Sequence, residues 1–372
     1  MTKSQKFPKG FLWGAATSAY QVEGGNRNSD WESWKVKAGR ACDHYRRFEE
    51  DFDLLKPLNL NAYRLSVEWA RIEPEKGKFD AGEVEHYREV LKALRRRGIK
   101  PLVTLHHFTN PLWIAGQGGW ESPSTISYFE SYVRYVVTQL ADLCDFWVTV
   151  NEPWVYLSEG YLYRRWPPEK LSPAAACRVG GNMLRAHRAV YRLIHEIQPR
   201  AMVGIAYSLG YIRPPIPLKA NLAAWWERSF IRWAGAQDFI GVNYYRSITP
   251  FGSSLPKTDI GWEIYPEGLY RVLVELKGCR LPIYITENGL ADAKDEKRAD
   301  YIRGHLDSVW RAIQSGVDVR GYFYWSLLDN FEWASGFGPR FGLVEIDYGT
   351  MERRIRPSAK AYAEIAKRNG LG

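Results

Sequence analysis

Glu152 and Glu287 each close a short apolar run, Phe-Trp-Val-Thr-Val before Asn151-Glu152-Pro153 and Ile-Tyr-Ile-Thr before Glu287-Asn288-Gly289. Two carboxylates ending different parallel strands can converge on one mouth. Such a pair is what cleavage of a glycosidic bond requires, one acid to protonate the leaving oxygen and one carboxylate to meet the oxocarbenium charge. A pair of strand-end ion pairs would leave the same trace, and the positions alone leave both readings open. Other polar residues gather at equivalent places: Arg64 and Glu68, His106 and His107, Asn151, Asn243 with Tyr244 and Tyr245, Asn288, and Asp329 with Asn330.

Eight runs rich in β-branched and aromatic residues supply the strands that would carry these groups: Phe11–Thr17, Asn61–Trp69, Ile99–Phe108, Phe146–Asn151, Met202–Tyr207, Phe239–Tyr245, Pro282–Thr286 and Gly321–Leu327. Several are apolar on both faces, as strands buried in a parallel sheet are. Amphipathic stretches fill the gaps, at Asp43–Lys56, Gly82–Arg97, Ser124–Leu143, Pro173–Ile197, Leu218–Ala234, Glu267–Leu276, Glu296–Gln314 and Ser358–Lys367. Strand and helix alternating eight times predict an α/β fold, a single (β/α)8 TIM barrel, whose active residues lie at the C-terminal ends of the strands. No Ser/Gly-rich or charged linker divides the chain, so residues 1–372 are expected to form one catalytic domain.

Composition narrows the function classes. Sixteen Trp and twenty-three Tyr exceed the needs of a core, and aromatic rings with polar tips suit the apolar C–H faces and hydroxyls of sugars. The net charge of +9 comes from scattered basic residues or apparent helix faces such as Arg95-Arg96-Arg97, a pattern that argues against a nucleic-acid partner. His106 and His107 are adjacent on a strand and point to opposite faces, and the four cysteines show no metal-ligand or disulfide spacing. No metal and no cofactor are therefore expected. Free thiols, an N-terminus without an apolar signal core and the lack of any run of 18 apolar residues predict a cytoplasmic protein without a membrane partner.

Six longer motifs occur in one order. They are Phe11-Leu-Trp-Gly-Ala-Ala-Thr-Ser-Ala-Tyr-Gln-Val-Glu-Gly24, Tyr63-Arg-Leu-Ser-Val-Glu-Trp-Ala-Arg-Ile-Glu-Pro74, Thr149-Val-Asn-Glu-Pro153, Asp238-Phe-Ile-Gly-Val-Asn-Tyr-Tyr245, Ile285-Thr-Glu-Asn-Gly289 and Tyr324-Trp-Ser-Leu-Leu-Asp-Asn-Phe-Glu-Trp333. In these the chain resembles the family 1 glycoside hydrolases from near its first residues to its last. The resemblance implies a retaining β-glycosidase acting on β-D-glucosides, and on galactosides or fucosides, through a covalent glycosyl-enzyme. It makes Glu152 the acid/base and Glu287 the nucleophile, with Asn151 holding the sugar 2-hydroxyl or the nucleophile in the transition state. Arg64 would keep Glu287 ionised at a low pKa, Tyr245 would orient it, and Asn243 supports the pair. Sugar recognition is expected from Gln21, His107, Trp325, Glu332 and Trp333.

Two departures from the family pattern stand out. Where Tyr-His-Trp-Asp is common, this chain reads His106-His107-Phe108-Thr109, and it is short in Glu23–Cys42 and between Tyr207 and Asp238. The segment Gly210–Pro217, with three prolines, is expected to be irregular and mobile, leaving the leaving-group side open. Two other activities compete: a 6-phospho-β-glycosidase, against which Glu332 would repel the phosphate, and a carbohydrate-binding barrel without catalysis, which need not keep both carboxylates.

Overall fold

The computed structural model describes residues 5–213, 218–249 and 254–372. Eight parallel strands form the closed barrel: β1 (Leu12–Ala16), β2 (Ala62–Ser66), β3 (Lys100–Thr104), β4 (Phe146–Asn151), β5 (Met202–Ser208), β6 (Phe239–Asn243), β7 (Ile283–Asn288) and β8 (Val319–Trp325). Neighbours in sequence are neighbours in the sheet, and β8 returns to β1 through the register Gly321↔Leu12 to Trp325↔Ala16. The order follows from chain economy, because each strand is joined to the next parallel one by an outer helix.

Those helices are α1 (His44–Asp53), α2 (Ala81–Arg96), α3 (Ser124–Leu140), α4 (Pro173–Ile197), α5 (Leu218–Trp233), α6 (Pro266–Leu276), α7 (Arg298–Gln314) and α8 (Pro357–Arg368). Local chemistry starts several of them. The Asp80 carboxylate accepts from the Gly82 and Glu83 amides ahead of α2, and Ser172 accepts from Ala175 ahead of α4, where Pro173 takes the first helical position. The buried stripe of α2, Val84, Tyr87, Val90, Leu91 and Leu94, recurs at helical spacing, so one face meets the sheet and the other water.

Within the barrel, Phe146, Phe239 and Tyr284 pack edge to face at centroid distances of 4.8–5.5 Å. Large rings on some strands require small residues on others. A Cβ at Gly14 would lie 2.5 Å from Phe323 Cδ1, so β1 can approach β8 only with glycine there.

All eight expected strands occur, with shifted ends. Asn61–Trp69, Ile99–Phe108 and Phe239–Tyr245 contract to β2, β3 and β6, because the chain leaves the sheet where its polar residues begin. Beyond β2, Trp69–Ile72 is a short helix whose Ala70 amide bonds the Glu68 carboxylate. β7 runs past Thr286 to Asn288, and β8 starts at Val319. Periodicity did not reveal the short pairs Gln5–Lys6 with Gly370–Leu371 and Val344–Ile346 with Arg353–Ile355. The expectation of irregular backbone fails at Tyr211–Ile212, which pairs in parallel with Ser247–Ile248 and is held by strand hydrogen bonds. Residues 214–217 of that segment lie outside the described residues.

Among the described residues no helix is long and apolar enough to cross a membrane, and no group of three or more His, Cys, Asp and Glu side chains is placed to hold a metal ion. All four cysteines are unpaired.

Candidate active site

The C-terminal ends of five strands bring the expected residues together. Arg64 lies in β2, Asn151 ends β4 with Glu152 just beyond it, Asn243 ends β6, Glu287 lies in β7 and Trp325 ends β8. His107 follows β3 by three residues.

Arg64 is wholly buried, and every edge of its guanidinium is used. Nε donates to Thr104 Oγ1 at 3.1 Å and Nη2 to Asn151 Oδ1 at 2.6 Å, while Nη1 bonds the Glu287 carboxylate and the Thr286 carbonyl. Tyr245 Oη donates to the other Glu287 oxygen at 2.5 Å. The nucleophile candidate is thus fixed from both sides. Asn243 is oriented by Thr286 Oγ1, which donates to its Oδ1 at 2.6 Å, leaving Nδ2 to reach Glu152 Oε1 at 2.8 Å and Asn151 Oδ1 at 3.2 Å. Thr104 and Thr286, which orient these groups, escaped the sequence reading. Each is a small polar residue inside a buried strand, which is the only trace they leave.

Glu152 adopts left-handed backbone angles, φ 43° and ψ 61°, and its amide bonds the Ala206 carbonyl at 2.7 Å. Phe108 and Trp333 also have positive φ, 73° and 48°. Non-glycine residues in this region cost about 1–3 kcal/mol each and persist where surrounding contacts enforce them. Three of them share this mouth.

Burial raises the pKa of both carboxyl groups. For Glu152 the Glu287 charge adds to the rise, and Asn243 and Arg64 oppose it; for Glu287, Arg64 and Tyr245 oppose burial most. The low pKa expected for Glu287 is therefore corrected, since desolvation outweighs its partners. What survives is the order: Glu287 has two strong donors on it, and Glu152 holds the proton of the pair.

The sugar-recognition candidates surround this pair. His107 is buried, and its ring lies nearly parallel to Trp325 at 5.9 Å and to Trp333 at 6.0 Å. Burial and then Arg64 hold its pKa well below the usual imidazole value, so the ring is neutral. Because Arg64 and Asn243 both donate to Asn151 Oδ1, the Asn151 nitrogen faces His107 Nε2, at 3.3 Å. His107 then carries its proton on Nδ1, which has no partner among the described residues and can donate to a hydroxyl.

Gln21 is less available than expected. Its Nε2 donates to Asn330 Oδ1 and the Phe331 carbonyl, and its Oε1 accepts from Ser18. It holds the loop that presents Glu332, whose carboxyl is pushed up to about 8 by burial and by the Glu287 charge. Trp333 is wedged among Tyr20, Trp31, Phe108 and Trp166 at 4.7–6.0 Å, a rigid wall for a ring to lie against. The departure at Phe108-Thr109 is absorbed locally: Phe108 packs on Trp166 and Trp333, and Thr109 Oγ1 donates to both oxygens of Glu68. Two groups on the outer side of the mouth also had no sequence signal, Trp262, which packs on Tyr245 at 5.5 Å, and Glu227 on α5, whose charge is felt at Glu152.

The chain matches the family model of Glycosyl hydrolase family 1 over residues 3–233 and 250–371. It belongs to glycosyl hydrolase family 1. Among family 1 structures, a β-glycosidase from Pyrococcus horikoshii superposes with a TM-score of 0.93 at 40% identity, over 99% of this chain and 96% of that one. The β-glucosidase from Thermotoga maritima in complex with glucoimidazole gives a TM-score of 0.93 at 33% identity, over 99% and 100% of the two chains. Beta-glucosidase A of Thermotoga maritima is 34% identical over 441 aligned positions, covering 99% of both sequences. With only 372 residues in this chain, the family 1 barrel is kept here while connections present in that relative are trimmed.

Proposed function

We infer that this family 1 enzyme, a retaining β-glycosidase, uses Glu287 as nucleophile and Glu152 as acid/base, on β-D-glucosides and on galactosides or fucosides, with residues 1–372 acting as one catalytic domain. The observation that carries the assignment is the Glu287 carboxylate held between the Arg64 guanidinium and the Tyr245 hydroxyl, with protonated Glu152 joined to the same network by Asn243.

In the first step Glu287 attacks the anomeric carbon as the glycosidic C–O bond breaks. Glu152 passes its proton to the departing oxygen, and the alcohol leaves. A glycosyl ester on Glu287 remains. Water then enters on the face the alcohol vacated, gives a proton to Glu152 and displaces Glu287 from the anomeric carbon, so two inversions restore the β configuration. In this reading Asn151 bonds the sugar 2-hydroxyl, His107 and Glu332 take the remaining hydroxyls between Trp325 and Trp333 as apolar walls, and Gln21 holds the loop that carries Glu332. A phosphorylated sugar is disfavoured by Glu332 once its carboxyl ionises above about pH 8, and retention of the whole Arg64, Asn243 and Tyr245 support argues against a barrel that only binds. Relatives named beta-glucosidase and, from Pyrococcus woesei, beta-galactosidase support the substrate class. Four unpaired thiols support a reducing, cytoplasmic setting.

The assignment is tested with Glu287→Gly. Hydrolysis of a chromogenic β-glucoside should fall by orders of magnitude, and added azide should restore turnover with formation of the α-glycosyl azide. A β-configured azide would place the nucleophile elsewhere.

A further inference from the structure

Trp154, two residues beyond Glu152, lines an apolar slot of about 310 Å³ that α4, α5 and the Pro153–Leu157 turn form, with Leu157, Gly181, Trp226, Phe230 and Trp233 in its other walls. Trp226 packs edge-on against Trp233 at 5.4 Å, and Trp225 against both at 5.7–5.8 Å. Trp225 is 50% exposed and Trp233 39%, so the rings mark an opening and not a sealed core. Large exposed aromatic groups beside a concave apolar surface are the usual signature of a ligand site.

Two adjacent glycines in the middle of α4 separate packing from function. Glycine is a poor helix former, so each needs a reason. A Cβ at Gly180 would lie 2.9 Å from Phe230 and 3.1 Å from Leu157, so glycine is required there for α5 to seat. A Cβ at Gly181 would meet nothing within 4 Å. Packing does not explain Gly181; it lines the slot and leaves its width free.

The charge at the edge selects among apolar ligands. Arg185 and Arg188 follow Gly181 on the same face of α4, one and two turns on, and both are exposed. Their hydrogen-bond partners are uncharged: Arg185 donates to the Gly181 carbonyl and Asn182 Oδ1, and Arg188 to the Ala234 and Trp233 carbonyls. Arg188 thereby stands on the backbone of a residue that lines the slot. Two guanidiniums with no carboxylate partner among the described residues, next to an apolar slot, fit an amphiphile with an anionic head.

We propose that this slot is a second binding site, beside the sugar site, which takes the hydrocarbon chain of a fatty acid and holds its carboxylate at Arg185 and Arg188. A ten-carbon chain serves as the probe of a slot of this volume.

Decanoate and 1-decanol, titrated calorimetrically below their aggregation limits, test this. Decanoate should bind saturably, with one site per chain. Gly181→Leu should weaken both ligands at least tenfold while leaving the Tm no lower, because leucine is the better helix former, and leaving chromogenic β-glucoside hydrolysis unchanged. In the double variant Arg185→Ala, Arg188→Ala, decanoate should weaken about tenfold and decanol should not. Absence of saturable decanoate binding overturns the site, as does undiminished binding by Gly181→Leu; equal loss of decanoate and decanol in the arginine variant overturns the assignment of the carboxylate.

Discussion

Asn243 Nδ2 donates to Glu152 Oε1 at 2.8 Å, although the two residues come from strands β6 and β4 with β5 between them. The amide can face only one way, since Thr286 Oγ1 occupies its oxygen. An Asn243→Asp substitution would put a carboxylate against Glu152 and remove a donor. We expect kcat/KM for an aryl β-glucoside to drop about 100-fold or more, with the thermal midpoint little changed. A loss confined to KM would show that Asn243 binds sugar and does not tune the acid.

The pH–rate profile should be bell-shaped, with its acid limb above the usual carboxylate range because burial raises Glu287, and its alkaline limb set by Glu152. Glu227, itself pushed up to about 8 by burial, raises Glu152 when ionised. Glu227→Gln should therefore move the alkaline limb to lower pH and leave the acid limb in place. An alkaline limb that stays put would remove Glu227 from the site's electrostatics.

Glu332 couples stability to recognition. Its folded pKa of about 8 lies above the 4.5 of an ordinary glutamate, so the folded state binds the proton more tightly. Stability from this group is full below about 4.5 and is lost as the pH rises through about 8. Glu332→Gln should raise the Tm above pH 8, with the gain vanishing below about pH 4.5, while kcat/KM falls about 10- to 100-fold through lost hydroxyl contacts. Calorimetry across the pH range together with kinetics checks both halves; a Tm gain independent of pH would contradict the linkage.

Gly289 stands two residues after the nucleophile, and a Cβ there would lie 1.8 Å from the Trp325 carbonyl oxygen. Backbone on both sides leaves no flexible group to yield. Gly289→Ala should cost about 3 kcal/mol or more and lower activity as well, because the strain falls on β7 and β8, which carry Glu287 and Trp325. Denaturant unfolding with unchanged midpoint would refute the close approach.

Thiol accessibility should divide the cysteines in two. Cys177 and Cys279 are exposed and should react with a disulfide reagent in the native enzyme without loss of activity. Cys42 and Cys144 are buried, with burial raising both thiols and pushing Cys144 up to about 12, and should react only after unfolding. Mass spectrometry of native and denatured samples counts both classes.

The sequence by itself determined the barrel, because eight apolar runs alternating with helical stripes carry their own periodicity, and burial on both faces marks parallel strands. It also determined which residues reach the mouth: Glu152, Glu287, Arg64, Asn243 and Tyr245 close strands or follow them, and order along a parallel strand is order along the barrel axis. Only the tertiary structure decided what those groups do to one another. That Thr286 fixes Asn243, that Gln21 is spent on the Asn330–Glu332 loop, and that Glu287 is raised despite Arg64 all depend on distances across strands far apart in sequence. Desolvation depends on every neighbour at once, and no local pattern records it. The slot between α4 and α5 is of the same kind. Gly180 and Gly181 are alike in the chain, and only the position of Phe230 distinguishes the glycine that lets a helix seat from the one that leaves a space open.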